Sequence, residues 1–94
     1  MDIFTVVVSK KAKDNLRSVP VHIARKVGSW IDSIAYDGLL AVRKIPGFHD
    51  EPLKGDRKGQ RSIRLSKAYR AIYVFGNNGK IEIVEIIEVH KHDY

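Results

Sequence analysis

The sequence predicts an α+β domain in which two N-terminal helices pack on one face of a twisted, mostly antiparallel sheet of four to five strands. Apolar residues between positions 20 and 38 recur at helical spacing, whereas those after position 60 alternate with the period of a strand. Gly, Pro and Asn clusters separate the two patterns. A chain of 94 residues with 44% hydrophobic and 30% charged side chains suffices for one core, so a single domain over 1–94 is expected.

In chain order, Ile3 to Val8 (IFTVVV) is β-branched and aromatic, a first strand. Ser9 offers a helix N-cap, and Lys10 to Arg17 sets Ala12 and Leu16 at i, i+4. Ser18-Val19-Pro20 ends that helix and starts a second, with Pro20 suited to its first turn. Ile23, Val27, Trp30, Ile31 and Ile34 form one stripe along it, and Gly38 marks its stop. Trp30 on this stripe reads as core rather than as a platform for stacking bases. Leu39 to Val42 can form a helical turn, after which Ile45-Pro46-Gly47 and Glu51-Pro52 punctuate a loop. Strands follow at Arg61–Ser66, Tyr69–Phe75 and Lys80–His92, with a hairpin turn at Gly76-Asn77-Asn78-Gly79.

Strand parity directs Ile63 and Leu65, then Tyr69, Ala71, Tyr73 and Phe75, then Ile81, Ile83, Ile87 and Val89 toward the helices. The open face then gathers Arg64, Arg70 and His92. The last strand does not alternate cleanly, because Glu85 falls on the core parity and Val84 and Ile86 on the other.

Cysteine is absent, which excludes disulfides, a thiolate nucleophile and cysteine-ligated zinc and suits a reducing cytoplasm. No apolar run approaches the roughly 20 residues of a membrane span, and the first residues lack the pattern of a secretory signal. The formal charge of +6 is concentrated. Between Ala41 and Arg70, Arg43, Lys44, Lys54, Arg57, Lys58, Arg61, Arg64, Lys67 and Arg70 face only Asp50, Glu51 and Asp56, and the rest of the chain sums to zero. Charge focused in this way attracts a polyanion, nucleic acid or an acidic protein segment, where even spreading would serve solubility better.

Arginines and a histidine on one open sheet face suit RNA cleavage by the ribose 2′-OH. That reaction needs a base for the hydroxyl proton, cations for the crowded phosphorane and an acid for the leaving 5′-oxygen. Arginine supplies fixed planar donors to phosphate, and histidine titrates in the useful range. The chemistry requires no metal or cofactor, and His90 and His92, at i, i+2, have no evident third ligand.

Arg43 to Tyr73, RKIPGFHDEPLKGDRKGQRSIRLSKAYRAIY, resembles the RelE/ParE superfamily of bacterial toxins. RKIPG, LKGDRKGQ, SIR and the Tyr-Arg pair are similar to its HigB branch, EPLK to its YoeB branch, and the terminal EVHKHDY to the strand where such toxins keep catalytic groups. The resemblance implies a RelE-like, microbial-RNase-like fold. It also implies a ribosome-dependent endoribonuclease that cleaves mRNA in the A site, touches 16S and 23S rRNA, is neutralised by a cognate antitoxin and meets operator DNA only through it. Carried over by residue, Arg70 and Arg64 stabilise the scissile phosphate, Glu51 acts as base, Lys54 contacts phosphate and His92 is the general acid. Arg57, Lys58, Arg61, His90 and Lys91 are further RNA contacts. The chain departs from the pattern by ending in Asp93-Tyr94 and by placing Ser62 where some relatives have lysine. Tyr94 can take an orienting or stacking part, and His90 and His92 can exchange roles. Two other readings stay open: a non-catalytic, ParE-like inhibitor of DNA gyrase, and a plain nucleic-acid-binding module.

Overall fold

The computed structural model describes residues 2–91. Strand β1 (Val6–Val8) leads into helix α1 (Lys10–Ser18), the long helix α2 (Val21–Asp37) and the short α3 (Leu39–Arg43). After a 3-10 turn at Pro46–Phe48 come the two-residue strand β2 (Glu51–Pro52), a second 3-10 turn at Gly55–Arg57, and strands β3 (Arg61–Arg64), β4 (Tyr69–Asn77) and β5 (Glu82–Lys91). The five strands lie in the order β1-β5-β4-β3-β2. β1 runs parallel to β5, and every other pair is antiparallel.

Local chemistry fixes the helix ends. Ser9 caps α1, its Oγ accepting from the Ala12 N–H at 3.1 Å, while its own N–H donates to the Ile86 carbonyl at 2.9 Å. Asn15 accepts from the Val89 N–H at 3.0 Å, tying α1 to β5 a second time. Ile23, Val27, Trp30 and Ile34 of α2 are fully buried against Ile63, Ala71, Tyr73, Val84, Ile86 and Val89 of the sheet. Each such side chain stabilises the fold by about 1.5–3 kcal/mol. Trp30 lies 5.1 Å from the Tyr73 ring, a core residue as its stripe predicts.

The structure alters several sequence expectations. β1 is shorter than Ile3 to Val8, because Ile3 turns its carbonyl to the Leu39 N–H at the start of α3. Glu51-Pro52, expected as loop, pairs with Ser62 and Arg61 as an edge strand. Gly76 and Asn77 extend β4, so the turn moves on, held by the Asn77 and Asn78 side chains accepting from Gly79, Lys80 and Ile81.

The largest correction concerns β5. Tyr73 pairs with Ile86 and Ile72 with Glu88, leaving Ile87 as an unpaired bulge residue. Before the bulge the even residues Val84 and Ile86 face the helices; after it the odd Val89 does. Ile81, Ile83 and Ile87 are therefore not the core row, and Ile81 is half exposed. Phe75 keeps its edge contact to Tyr73 but projects beyond the helices, 48% exposed.

Asp2 organises the junction between α2 and α3. Its Oδ1 accepts from the Ile3 and Leu40 N–H groups, and these backbone bonds, Leu40 foremost, hold the carboxyl below its ordinary value. Gly38, at φ 87° and ψ 156°, adopts a conformation that glycine alone takes readily, and a Cβ there would collide with the Asp2 carboxylate. Gly38→Ala is expected to destabilise the fold by about 1–3 kcal/mol from backbone strain alone, measured by urea unfolding beside Asp2→Asn.

Candidate active site

The bulge decides which side chains meet on the open face of the sheet. Directly opposed residues of adjacent strands share a face, so Arg64, Arg70 and His90 form one row across β3, β4 and β5. Glu51, Ser62, Ile72 and Glu88 form the next. The segment between β2 and β3 closes on itself through Leu53 N–H to the Gln60 carbonyl at 2.9 Å, and Arg57 reaches from it to β5. The result is a cleft of about 240 Å³ lined by Glu51, Leu53, Arg57, Ser62, Arg70, Ile72 and His90. Ser62 and Ile72 are buried at 4% and 3% exposure. A larger recess of about 400 Å³, lined by Asp2, Phe4, Thr5, Asn77, Gly79, Lys80, Ile81 and Glu82, contains none of the sequence-selected residues.

Glu88 binds two cations at the edge of the cleft. Arg57 Nη2 donates to both carboxylate oxygens at 3.1 and 3.2 Å, and Lys11 Nζ to Oε1 at 3.1 Å. Burial alone would raise this carboxyl, but the bonds from Lys11 and Arg57 outweigh it and hold the group below its ordinary value. His90 Nε2 lies 3.6 Å from Glu88 Oε2, and its Nδ1 lies 3.0 Å from the Lys91 carbonyl. Arg70 differs from its neighbours: its Nη1 is buried and has no hydrogen-bond partner among the described residues. An unpaired donor on a charged group is costly to bury, and this one borders the cleft.

The fold finds its match among solved structures. The YoeB/ParE toxin from Agrobacterium tumefaciens aligns over 95% of this chain and 99% of its own at TM-score 0.67 and 21% identity. The archaeal RelE–RelB complex from Pyrococcus horikoshii aligns over 97% and 96% at 0.66 and 24% identity, and YafQ from E. coli over 93% and 91% at 0.67 and 13%. The chain has the RelE/ParE toxin fold. No family model and no curated protein matches its sequence.

Within this RelE/ParE fold the sequence-selected residues that are described separate into three groups. Glu51, Arg57, Arg70 and His90 line one cleft, with the exposed Arg64 beside Arg70 in register. Lys54, Lys58 and Lys91 are exposed and lie outside its lining. Arg61 sits on the helix side of the sheet, its guanidinium bound to a buried acid rather than presented with the others. His92 and Tyr94 lie outside the described residues.

The acid that holds Arg61 was not singled out in the sequence. Asp50, its side chain 1% exposed, accepts from Arg61 Nε at 2.7 Å and from the Tyr73 hydroxyl at 2.6 Å. Burial and then the Asp50 bond raise the Tyr73 phenol, and Asp50 raises Arg61 although burial opposes it. Glu51 is the next residue and pairs with Ser62 on the opposite side of the sheet, so this buried cluster fixes one wall of the cleft from beneath. A charged pair and a phenol from three separate segments leave no local pattern by which the cluster could have been found.

Two predictions follow from these bonds. Asp50→Ala, which strands Arg61 and Tyr73, should lower stability by about 3–5 kcal/mol, against about 1.5–3 kcal/mol for Tyr73→Phe, both read by chemical unfolding. Glu88 has a lowered native pKa, so its contribution is complete above the ordinary glutamate value of 4.5 and is lost as pH falls through the lower native value. Thermal unfolding followed as a function of pH should show that acid limb, and Glu88→Gln should flatten it.

Proposed function

We propose that the protein is the toxin of a type II toxin–antitoxin pair, a HigB/YoeB-like endoribonuclease of the cytoplasm that cuts mRNA in the ribosomal A site without a metal ion. The observation that carries the reading is the buried Arg70 Nη1, without a partner among the described residues, in a cleft that also presents a carboxylate and an imidazole. A phosphate oxygen supplies the acceptor that Arg70 lacks, and exposed Arg64 adds a second cation in the same row.

In this reading Glu51 takes the proton from the ribose 2′-OH as the oxygen attacks phosphorus. Arg70 and Arg64 stabilise the phosphorane, and His90, opposite Arg70 in register, protonates the departing 5′-oxygen. The products are a 2′,3′-cyclic phosphate and a 5′-hydroxyl. Resemblance assigns Tyr94 an orienting part and His92 the general acid, and His92 is tested beside His90. Lys54, Lys58 and Lys91 are exposed cations suited to ribosomal RNA phosphates.

The matched structures include toxins bound to their antitoxins, the RelE–RelB complex from Pyrococcus horikoshii and the YoeB–YefM complex from Staphylococcus aureus. An antitoxin with an acidic contact segment complements the +6 charge of this chain. Operator DNA is then met only through that partner. Among the described residues, no helix is long and apolar enough to cross a membrane.

Expression of the wild type beside Arg70→Ala, His90→Ala and His92→Ala, with primer-extension mapping of mRNA ends, tests the reading. Cuts inside translated codons are expected from the wild type and are lost in Arg70→Ala. Because that substitution removes an unpartnered buried donor, it should unfold at the same denaturant concentration as the wild type or above it. Growth arrest without cuts would replace the nuclease by a ParE-like gyrase inhibitor.

A further inference from the structure

His49 is the one non-glycine residue with positive φ among the described residues, at 46°. Left-handed backbone is uncommon for a side chain of this kind and persists where neighbouring contacts force it, often at functional sites. Both neighbours do so here. On one side the His49 N–H closes the 3-10 turn by donating to the Pro46 carbonyl at 3.0 Å. On the other, Asp50 is drawn to the helix side by Arg61 and Tyr73, while Glu51 is fixed on the cleft side by its pairing with Ser62.

This path returns the imidazole to the carboxylate two residues on. His49 Nε2 lies 3.5 Å from Glu51 Oε2, with the two side chains 53% and 48% exposed. A pair so exposed contributes little to stability, so the strained turn is not explained by the strength of the contact. Glu51 is also a cleft-lining residue, and among the described residues the His49 ring is the one basic side chain within ion-pair distance of its carboxylate.

We propose that His49 is a positioning residue for Glu51: it holds Oε2 from outside the cleft and leaves Oε1 for the ribose 2′-OH. The inference rests on the nuclease reading with Glu51 as base. In that step the 2′-OH proton passes to Glu51 Oε1, the 2′-oxygen forms its bond to phosphorus, and the bond from phosphorus to the 5′-oxygen breaks as that oxygen gains a proton from the acid opposite. A carboxylate free to swing about its last torsion meets the hydroxyl less often, and misplacement on the scale of 1 Å slows such a step by up to about 100-fold. RNA binding, carried by the arginines, is untouched.

The variant His49→Gly separates this role from a structural one. Glycine takes positive φ without strain, so the variant should melt at or above the wild-type temperature. On programmed ribosomes it should nevertheless cut about 10- to 100-fold more slowly in kcat, with KM unchanged. His49→Asn, which tolerates the same backbone and keeps an N–H donor, should fall between the two. In a Glu51→Gln background, removing His49 should cost no further rate. Equal cutting by wild type and His49→Gly would overturn the proposal, as would an undiminished loss in the Glu51→Gln background. A wild type that does not cut at all while programmed ribosomes are intact would remove the nuclease reading itself, and this inference with it.

Discussion

A carboxylate that never meets solvent holds the cleft together. Asp50 accepts from Arg61 and Tyr73 on the helix side of the sheet, and each bond joins a different part of the chain. Through Arg61 it secures strand β3; through Tyr73 it reaches the central core and the Trp30 ring. The segment that carries it is otherwise weakly held, since β2 has only two residues and the preceding turn is anchored by buried Phe48, with Lys26 over its ring at 5.2 Å. Glu51 and His49, on either side of Asp50, take their places because that acid is pinned.

The division of labour among cations follows from the same economy. The basic excess lies between Ala41 and Arg70, yet the positive charges there do not act alike. Arg61 is neutralised by Asp50 and Arg57 by Glu88, so both serve to fasten loops to the sheet. Arg70, buried in part, has an Nη1 without an acceptor among the described residues. Structural cations shape the cleft, and Arg70 lines it with a donor left unsatisfied among the described residues.

Much of this was legible in the sequence. The apolar stripe from Ile23 to Ile34 specifies α2 and its buried face, and alternation in RSIRLS and YRAIYVF specifies β3 and β4 and the placing of Arg64 and Arg70 together. What strict alternation could not supply was the bulge at Ile87. Its trace was present, as Glu85 on the core parity with Val84 and Ile86 off it, and a single extra residue resolves the conflict by exchanging faces partway along the strand. Without that exchange the rows would not bring His90 opposite Arg70. The pairing of Glu51 with Ser62 and the bonds of Asp50 depend on contacts across the sheet, which leave no periodic signal.

The strand order also has a consequence for how the protein comes into being. Among the described strands β5 is the last to be synthesised, yet it lies between β1 and β4. Until it emerges from the ribosome, β1 has no neighbour to pair with, α1 has no surface to pack on, and the row that includes His90 is incomplete. Contacts of such long sequence separation form late and slowly. The cleft is thus incomplete until β5 has been translated, and the topology that sets β5 between β1 and β4 makes its assembly a late event.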